Sequence, residues 1–221
     1  MSLGTNASPE LLERLVKIRR DPIEFLRCVR TRDEVDQKNP VKLFPVDELD
    51  YVKLYAKVWV KERFLAVPKS RRMLMSWTNI ALFTWDAMWN CGRAYAFVSK
   101  KEDDSDDLVR RAKFIVENLD EKKVPKQLIP RIEYKYGKLS FPGIGSSISG
   151  FASGADQLRQ FTFTGIFADE MSFWPEAQKM YAASFPTLEG GGRFTAVSSP
   201  APGFFQALVF DQLDSFGNGA E

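Results

Sequence analysis

The sequence predicts an α/β domain whose central sheet is mainly parallel and buried between helices. Apolar runs of four to six residues, the length of strands covered on both faces, recur along the chain. Stretches with helical spacing and capping residues separate those runs, and this alternation is typical of a parallel sheet. The 221 residues are 44% hydrophobic, which is enough for one large domain with its own core.

The composition limits the chemistry that the chain can perform. No histidine is present, so any proton acceptor must be a carboxylate or, less often, a lysine, tyrosine or cysteine. Cys28 and Cys91 have no metal-ligand spacing, and we expect both to be buried thiols of a cytosolic protein. No apolar run approaches the ~20 residues of a membrane span, and the N-terminus lacks the apolar region of a signal peptide. The net charge of +2 points to neither nucleic acid nor membrane, so a nucleic-acid partner would need a local basic patch.

The first forty residues are predicted to form a helical segment ahead of the main domain. Residues 8–10 and 21–24 each place a capping side chain before a proline at the first helical position. Residues 31–40 are polar and charged, which predicts a loop. We therefore divide the chain into an N-terminal helical segment (1–40), a main domain (41–213) and a flexible end (214–221).

The main domain alternates helices and strands in order. Helical spacing predicts helices at 47–62, 76–90, 103–119, 175–185 and 204–213. Apolar runs predict strands at 64–67, 95–98, 163–168 and 194–198. A hairpin is predicted from 132–136 and 138–141 around Tyr136-Gly137, and the Gly/Ser-rich stretch 142–154 is either a loop or a short strand plus a loop.

Two adjacent carboxylates, Asp169 and Glu170, follow a buried strand directly. Ligands bind at the carboxyl ends of strands in open α/β sheets, and paired carboxylates there require a positive partner. Nucleotide-bound Mg²⁺ would supply that charge, with Asp169 holding the ion and Glu170 orienting or deprotonating water. The alternative is that Asp169 caps the next helix and Glu170 is solvated.

A basic turn joins the strand at 64–67 to the following helix. Lys69, Arg71 and Arg72 place three cations in four residues, and Ser76 starts the helix with a hydroxyl that can ligate Mg²⁺. Backbone N–H groups, a cation and such a hydroxyl are what phosphate binding requires. No glycine lies in this turn, so a left-handed residue would be costly there. The alternative is a basic turn on the surface.

The two segments together form the halves of a P-loop NTPase site. About a hundred residues separate them, which leaves room for intervening βα units. A third piece is the strand end at Ser198 and Ser199, whose hydroxyls could sense the γ-phosphate; the alternative is a strand running into a Ser-Pro turn.

In order and spacing these motifs resemble the ATPase domain of the large terminase subunit, the motor that packages DNA into tailed-phage and herpesvirus heads. KSRRMLMS, residues 69–76, is similar to the family's variant Walker A loop, in which the lysine comes early. It matches at Lys69, Ser70, Arg72 and Ser76, and departs at Leu74, where the family prefers glycine.

Further stretches extend the resemblance over roughly residues 40–210. IFADE (166–170) is similar to Walker B, and TAVSSP (195–200) to the coupling motif, motif III. The run into Walker B resembles the family's "G-x-D-x-x-R-G" segment, with Arg159 at its arginine and Gln160 in place of its glycine. Leu43-Phe44-Pro45 is the counterpart of the adenine-binding region, with Tyr51 as another candidate to cover the base.

The resemblance implies a fold, a cofactor and a set of roles. The fold is a P-loop NTPase sandwich of three layers, of the additional-strand, catalytic-glutamate (ASCE) type. ATP and Mg²⁺ bind between the Walker A loop and Walker B, with Lys69 on the β- and γ-phosphates, Ser76 and Asp169 on the metal, and Glu170 activating water. Arg71 or Arg72 acts in cis, and Ser198 and Ser199 couple hydrolysis to movement. Arg159 corresponds to an arginine that can reach a neighbouring subunit, and the alternative is a structural salt bridge to an acidic neighbour. The remaining loop residues, Ser70, Met73, Leu74 and Met75, and Phe44 complete the nucleotide contacts.

The resemblance also implies a biological setting. Double-stranded DNA, the portal protein and the small terminase subunit are the expected partners, in a homo-oligomeric ring, with a monomer as the alternative for the isolated domain. The expected location is the host cytoplasm at the procapsid portal, with no membrane. Only about twenty residues follow motif III, so we expect no nuclease domain and no DNA cleavage from this chain. Rival interpretations are a helicase-like DNA-dependent ATPase and a catalytically silent DNA-binding or scaffold module.

Overall fold

A computed structural model describes residues 8–33, 35–154, 158 and 161–213. The predicted flexible end at 214–221 and the first seven residues of the predicted N-terminal segment lie outside the described residues, as does Arg159.

The N-terminal segment forms two helices, α1 (Pro9–Arg20) and α2 (Pro22–Leu26). Both begin at the predicted caps: Ser8 Oγ accepts a hydrogen bond from the Leu11 N–H at 3.3 Å, and Asp21 Oδ1 accepts one from Ile23 at 2.8 Å. The short helix α2 contributes fully buried side chains to the core of the main domain. The segment therefore packs into the same core as the sheet.

Two short antiparallel strands flank the predicted loop at 31–40 and overlap only its first two residues. Strand β1 (Arg30–Arg32) pairs with β2 (Val41–Leu43). Between the two strands, Asp36 accepts a hydrogen bond from the Asn39 N–H at 3.0 Å. The strands are short and largely exposed, so they carry no apolar alternation that the sequence could reveal.

The remaining elements follow the predicted order, with ends within four residues of the predicted ones. The helices are α3 (Asp50–Lys61), α4 (Met75–Trp89), α5 (Glu102–Glu117), α6 (Ala177–Glu189) and α7 (Phe204–Val209). The strands are β3 (Phe64–Pro68), β4 (Ala94–Ser99), β5 (Glu133–Lys135), β6 (Lys138–Phe141), β7 (Ser146–Ala152), β8 (Gly165–Asp169) and β9 (Arg193–Ser198). Single 3₁₀ turns lie at Lys126–Leu128 and Met171–Phe173.

These seven strands, β3 to β9, form one sheet in the order β3-β9-β8-β4-β7-β6-β5. The first five are parallel, and β6 runs antiparallel to both of its neighbours. The Gly/Ser-rich stretch holds the seven-residue strand β7 rather than a loop with a short strand. Its Gly150 lets α5 approach closely, because an added Cβ would lie 3.0 Å from the Ser105 carbonyl oxygen.

Helices cover both faces of the sheet and create two hydrophobic cores. Successive residues of β4 alternate between them: Tyr95 and Phe97 face the core of α4 and α5, and Ala96 and Val98 face the core beside α6. This arrangement confirms the predicted three-layer sandwich with a mainly parallel central sheet. Strand β9 lies between β3 and β8, which is the additional strand of the ASCE type.

Two expectations about exposure have different outcomes. Cys28 is buried, as predicted, but Cys91 is exposed because it lies in the turn after α4, so that prediction was wrong. Among the described residues, no helix has the length and apolar character needed to cross a membrane.

Candidate nucleotide site

The carboxyl ends of β3, β9 and β8 meet at one edge of the sheet because the three strands are parallel neighbours. This edge brings the basic turn, the acidic pair and the strand end at Ser198 and Ser199 together, although Lys69 and Ser199 are 130 positions apart in sequence. The Lys69 N–H donates to the Ser198 carbonyl at 2.9 Å, which extends the β3–β9 pairing into the turn.

Lys69 and Glu170 form an ion pair at the centre of this edge. The ammonium contacts Glu170 Oε1, and the Lys69 side chain is only 9% exposed. Burial alone would raise the pKa of Glu170, but the Lys69 hydrogen bond and the Ser199 N–H outweigh it and hold that pKa below its usual value. Glu170 is therefore ionised and already oriented.

Ser76 and Asp169 form a second contact beside the first. The Ser76 hydroxyl donates to Asp169 Oδ1 at 2.8 Å, across the gap between α4 and β8. Burial raises the pKa of Asp169, while the hydrogen bond from Ser76 and the charge of Lys69 oppose that rise. A buried carboxylate with one hydroxyl partner is a group that gains from a cation.

The end of β9 holds the other side of Glu170. The Ser199 N–H donates to Glu170 Oε2 at 3.0 Å, and the Ser198 hydroxyl lies 3.3 Å from the same oxygen. The Ser198 hydroxyl in turn accepts a hydrogen bond from the Ser172 N–H at 3.0 Å. The strand end thus contacts Glu170 directly, through the Ser198 hydroxyl and the Ser199 backbone N–H.

Left-handed backbone marks this site at three residues other than glycine. Arg72 (φ 65°) and Leu74 (φ 53°) lie in the basic turn, and Glu170 (φ 53°) follows β8. Leu74 is the position where the resembled family prefers glycine, and it is also the N-cap of α4, with no side-chain cap hydrogen bond. Such residues cost about 1 kcal/mol each and concentrate at functional sites.

A cavity of about 710 Å³ opens beside the acidic pair. Arg71 lines it together with Asp169 and Glu170, and Arg72 is not among its lining residues in the part of the chain that is described. Arg71 is thus the loop arginine that faces the cavity. The sequence could not separate the two arginines, because the direction of a loop side chain depends on the turn's backbone.

The predicted adenine contacts lie in different surroundings. Phe44 is buried in the hydrophobic core, so its ring offers little surface to a base. Tyr51 donates its hydroxyl to the Met73 carbonyl at 3.0 Å and so supports the loop. Adenine binding by Phe44 or Tyr51 stays a prediction, and the role of Arg159 is untested because that residue is not described.

Trp77 and Arg111 are site neighbours that sequence reasoning missed. Arg111 stands over the Trp77 ring at 5.4 Å from its centroid, and it lines the cavity beside Asp169. Trp77 lies on α4 and Arg111 on α5, and residue spacing within one helix cannot reveal a contact between two helices. The Trp77 side chain is only partly buried.

The donor set fits a magnesium ion carried by a nucleotide. Ser76 Oγ and Asp169 Oδ1 are hard oxygen ligands, and Mg²⁺ commonly takes one or two protein ligands plus phosphates and water. Within the described ranges, no group of three Asp, Glu, Cys or His side chains could hold a metal unaided.

The sheet order, the loop between β3 and α4, and the acidic end of β8 define the class of fold: this is a P-loop NTPase fold of the ASCE type. Among solved structures, the fold is similar to that of phage large terminases and their ATPase domains. It matches the HK97 bacteriophage large terminase at a TM-score of 0.63 with 12% identity, over 89% of this chain and 41% of that one.

Two further structures show the same likeness. The Thermus phage P74-26 large terminase ATPase domain matches at a TM-score of 0.51 with 17% identity, over 64% of this chain and 61% of that one. The large terminase of another thermophilic bacteriophage matches at a TM-score of 0.50 with 16% identity, over 71% of this chain and 39% of that one. No protein-family model matches the chain. The matches span less than two thirds of these relatives, and at such identities they define the fold.

Proposed function

We propose that this domain hydrolyses ATP with Mg²⁺ and drives double-stranded DNA into a procapsid as part of a large terminase. The observation that supports this most is the convergence of Lys69, Ser76, Asp169 and Glu170 at one sheet edge, in two direct contacts. These are a phosphate-binding cation, a metal-ligating pair and a base for water.

Lys69 changes partner in the proposed cycle. When nucleotide enters, the ammonium moves from Glu170 to the β- and γ-phosphate oxygens, which carry more charge than one carboxylate. Ser76 Oγ and Asp169 Oδ1 would hold Mg²⁺, which neutralises charge on the same phosphates when bound. The loop's backbone N–H groups at the start of α4 complete the phosphate cradle.

Glu170 becomes the base once Lys69 has left. Losing its ion pair raises the basicity of the carboxylate, and the Ser199 N–H keeps the other oxygen in place. Glu170 Oε1 then orients a water molecule and accepts its proton as the water attacks the γ-phosphorus. The bond from that phosphorus to the β–γ bridging oxygen breaks, and ADP leaves with the bonding electron pair. Arg71, which lines the same cavity, stabilises the charge that develops.

The end of β9 couples this step to movement. Ser198 and Ser199 contact Glu170, and strand β9 leads into α7 a few residues later, so a change at Glu170 is transmitted to that helix. Double-stranded DNA, the portal and the small subunit are the proposed partners, with assembly into a ring at the procapsid portal. Arg159 is proposed to complete a neighbour's site.

Steady-state ATP hydrolysis with Mg²⁺, measured over a range of protein concentrations, tests the proposal. We expect turnover that falls by about 10²–10³-fold in Glu170→Gln and in Lys69→Ala. Glu133→Gln, a neutralised glutamate on the far edge strand β5, is the matched control and should behave as wild type. Turnover that rises faster than linearly with concentration would support a trans arginine.

The other outcomes separate the rival functions. Stimulation by duplex DNA rather than single strands fits a packaging motor, and the reverse preference fits a helicase-like enzyme. ATP binding without turnover at any concentration fits a silent module. Absence of both binding and turnover overturns the proposal.

A further inference from the structure

Arg111, on α5, contacts one side chain of its own helix and one of α4 beside the candidate nucleotide site. Its Nη2 lies 2.7 Å from Asp107 Oδ2, one turn earlier on α5, and its guanidinium stands over the Trp77 ring. The Arg111 side chain is 30% exposed, so it is not a core residue. A planar guanidinium can pair with a carboxylate and lie over an aromatic ring at once, which an ammonium does less well.

Trp77 directly follows Ser76, whose hydroxyl points at Asp169. The first turn of α4 has no side-chain cap, because Leu74 occupies the N-cap position. Trp77 also meets the ring of Phe114 on α5 edge to face, at 6.1 Å between centroids. Contacts with α5 therefore take part in holding the end of α4 where Ser76 lies.

We propose that Arg111 is a positioning residue for the metal-bound nucleotide: it clamps Trp77 against α5 and so fixes Ser76 beside Asp169. This inference rests on the proposed function and names a residue that the resemblance does not supply. Arg111 lines both the cavity next to Asp169 and a separate groove of about 390 Å³, and Trp77 lines that groove as well. Arg111 therefore contacts Trp77 at the groove while also bordering the cavity of the candidate nucleotide site.

The test compares ADP affinity by calorimetry with Mg²⁺ and with EDTA. For Arg111→Ala we expect the Mg²⁺-dependent gain in affinity to fall about fivefold, while affinity for metal-free ADP stays as in wild type. Arg111→Lys keeps the positive charge but lacks the planar guanidinium, so it should recover less than half of the lost affinity gain. Lys113→Ala is the matched control, since Lys113 stands over Tyr134 instead of Trp77.

A double-mutant cycle with Trp77→Leu makes the test specific. If Arg111 acts through Trp77, Trp77→Leu alone should reproduce the Arg111→Ala effect, and the double variant should add almost nothing. In ATP hydrolysis, the half-saturating Mg²⁺ concentration should rise more than kcat falls.

Two results would overturn the inference while leaving the proposed function in place. One is an Arg111→Ala variant whose Mg²⁺-dependent gain in ADP affinity equals that of wild type and whose melting temperature alone is lower. That result would indicate a purely structural role for Arg111. The other is an equal loss of affinity with and without Mg²⁺. A wild-type protein that binds ADP in neither condition overturns the proposed function as well.

Discussion

Two clusters of partly buried charge lie at opposite edges of the same sheet and contain similar groups. At the carboxyl edge, Lys69 pairs with Glu170 and a serine hydroxyl contacts Asp169. At the amino edge, Asp86 accepts the hydroxyl of Tyr95 and lies 3.0 Å from Arg93 Nε. Each cluster combines a carboxylate with a cation and a hydroxyl.

The clusters differ in backbone and in partners. Near Asp86 the left-handed position is occupied by Gly92 (φ 69°), and Asn90 Nδ2 donates to the second carboxylate oxygen at 2.7 Å. At the carboxyl edge the left-handed positions are occupied by residues other than glycine. The comparison teaches that residue type does not separate the two clusters, whereas strained backbone beside a cavity distinguishes the candidate nucleotide site.

The largest expected difference concerns the two arginines of the loop. Arg71→Ala should lower kcat by about 10³-fold, because Arg71 faces the cavity and would stabilise transition-state charge. Arg72→Ala should change kcat by less than about threefold, and neither variant should alter the melting temperature much. ATP hydrolysis at saturating nucleotide measures both. Equal losses of kcat in the two variants would contradict this assignment, because they would mean that the loop rearranges on nucleotide binding.

The second prediction concerns the amino edge, where a substitution should change stability rather than nucleotide binding. Asp86→Ala should lower the free energy of unfolding by about 2 kcal/mol, because the Tyr95 hydroxyl and Arg93 lose their shared acceptor in a largely buried place. Nucleotide affinity should stay unchanged. Urea unfolding gives the first quantity and calorimetry the second.

Asp33→Ala is the control for that experiment, since Asp33 pairs with Lys42 on the exposed hairpin and should matter far less. A loss of ADP affinity in folded Asp86→Ala would mean that the two edges are coupled.

The third prediction concerns pH. The pKa of Glu170 is lower in the folded chain than in the unfolded one, so its ionised form adds stability above the unfolded pKa of about 4.3. That stability is lost as pH falls through the folded pKa. Lys69→Met removes the partner, so the stability difference between wild type and variant should shrink below about pH 4.3.

Urea unfolding at neutral pH and at about pH 3.5 measures this difference. The difference in the free energy of unfolding between wild type and Lys69→Met should stay below about 1 kcal/mol, since about a third of the Glu170 side chain is exposed. A difference that grows on acidification would contradict the ion pair.

The smallest expected effect is a gain in stability. Arg72→Gly removes the backbone strain of an exposed left-handed residue and should raise the free energy of unfolding by about 0.5 kcal/mol. Glycine also adds conformational freedom to the unfolded chain, but we expect the relief of strain to be the larger effect. Leu74→Gly should gain less, because Leu74 also packs against the core. Thermal unfolding of both variants measures the difference, and a greater gain for Leu74→Gly would reverse the ranking.

The sequence predicted the sheet class and the order of the motifs because buried strands and capped helices leave local signals. Asp169, Glu170 and Ser76 could be chosen from their places at element ends. The cavity-facing arginine could not, since Arg71 and Arg72 differ only in how the turn directs them.

Other features depended on contacts that no short window contains. Strand β7 is rich in glycine and serine, and it is a strand because β4 and β6 pair with it on both sides. The exposed hairpin of β1 and β2 lacks an apolar pattern. The Arg111–Trp77 contact joins two helices through their packing, and its residues look like a surface arginine and a core tryptophan in sequence.

The Lys69–Glu170 pair has a consequence for affinity. In terms of populations it is an internal competitor: each phosphate that binds Lys69 must first displace a carboxylate held at high local concentration. The measured dissociation constant therefore equals the intrinsic one divided by the fraction of molecules in which the pair is open. Neutralising Glu170 should tighten nucleotide binding even as it stops turnover, so the residue that we propose as the base for ATP hydrolysis would also limit how readily the empty domain retains ATP.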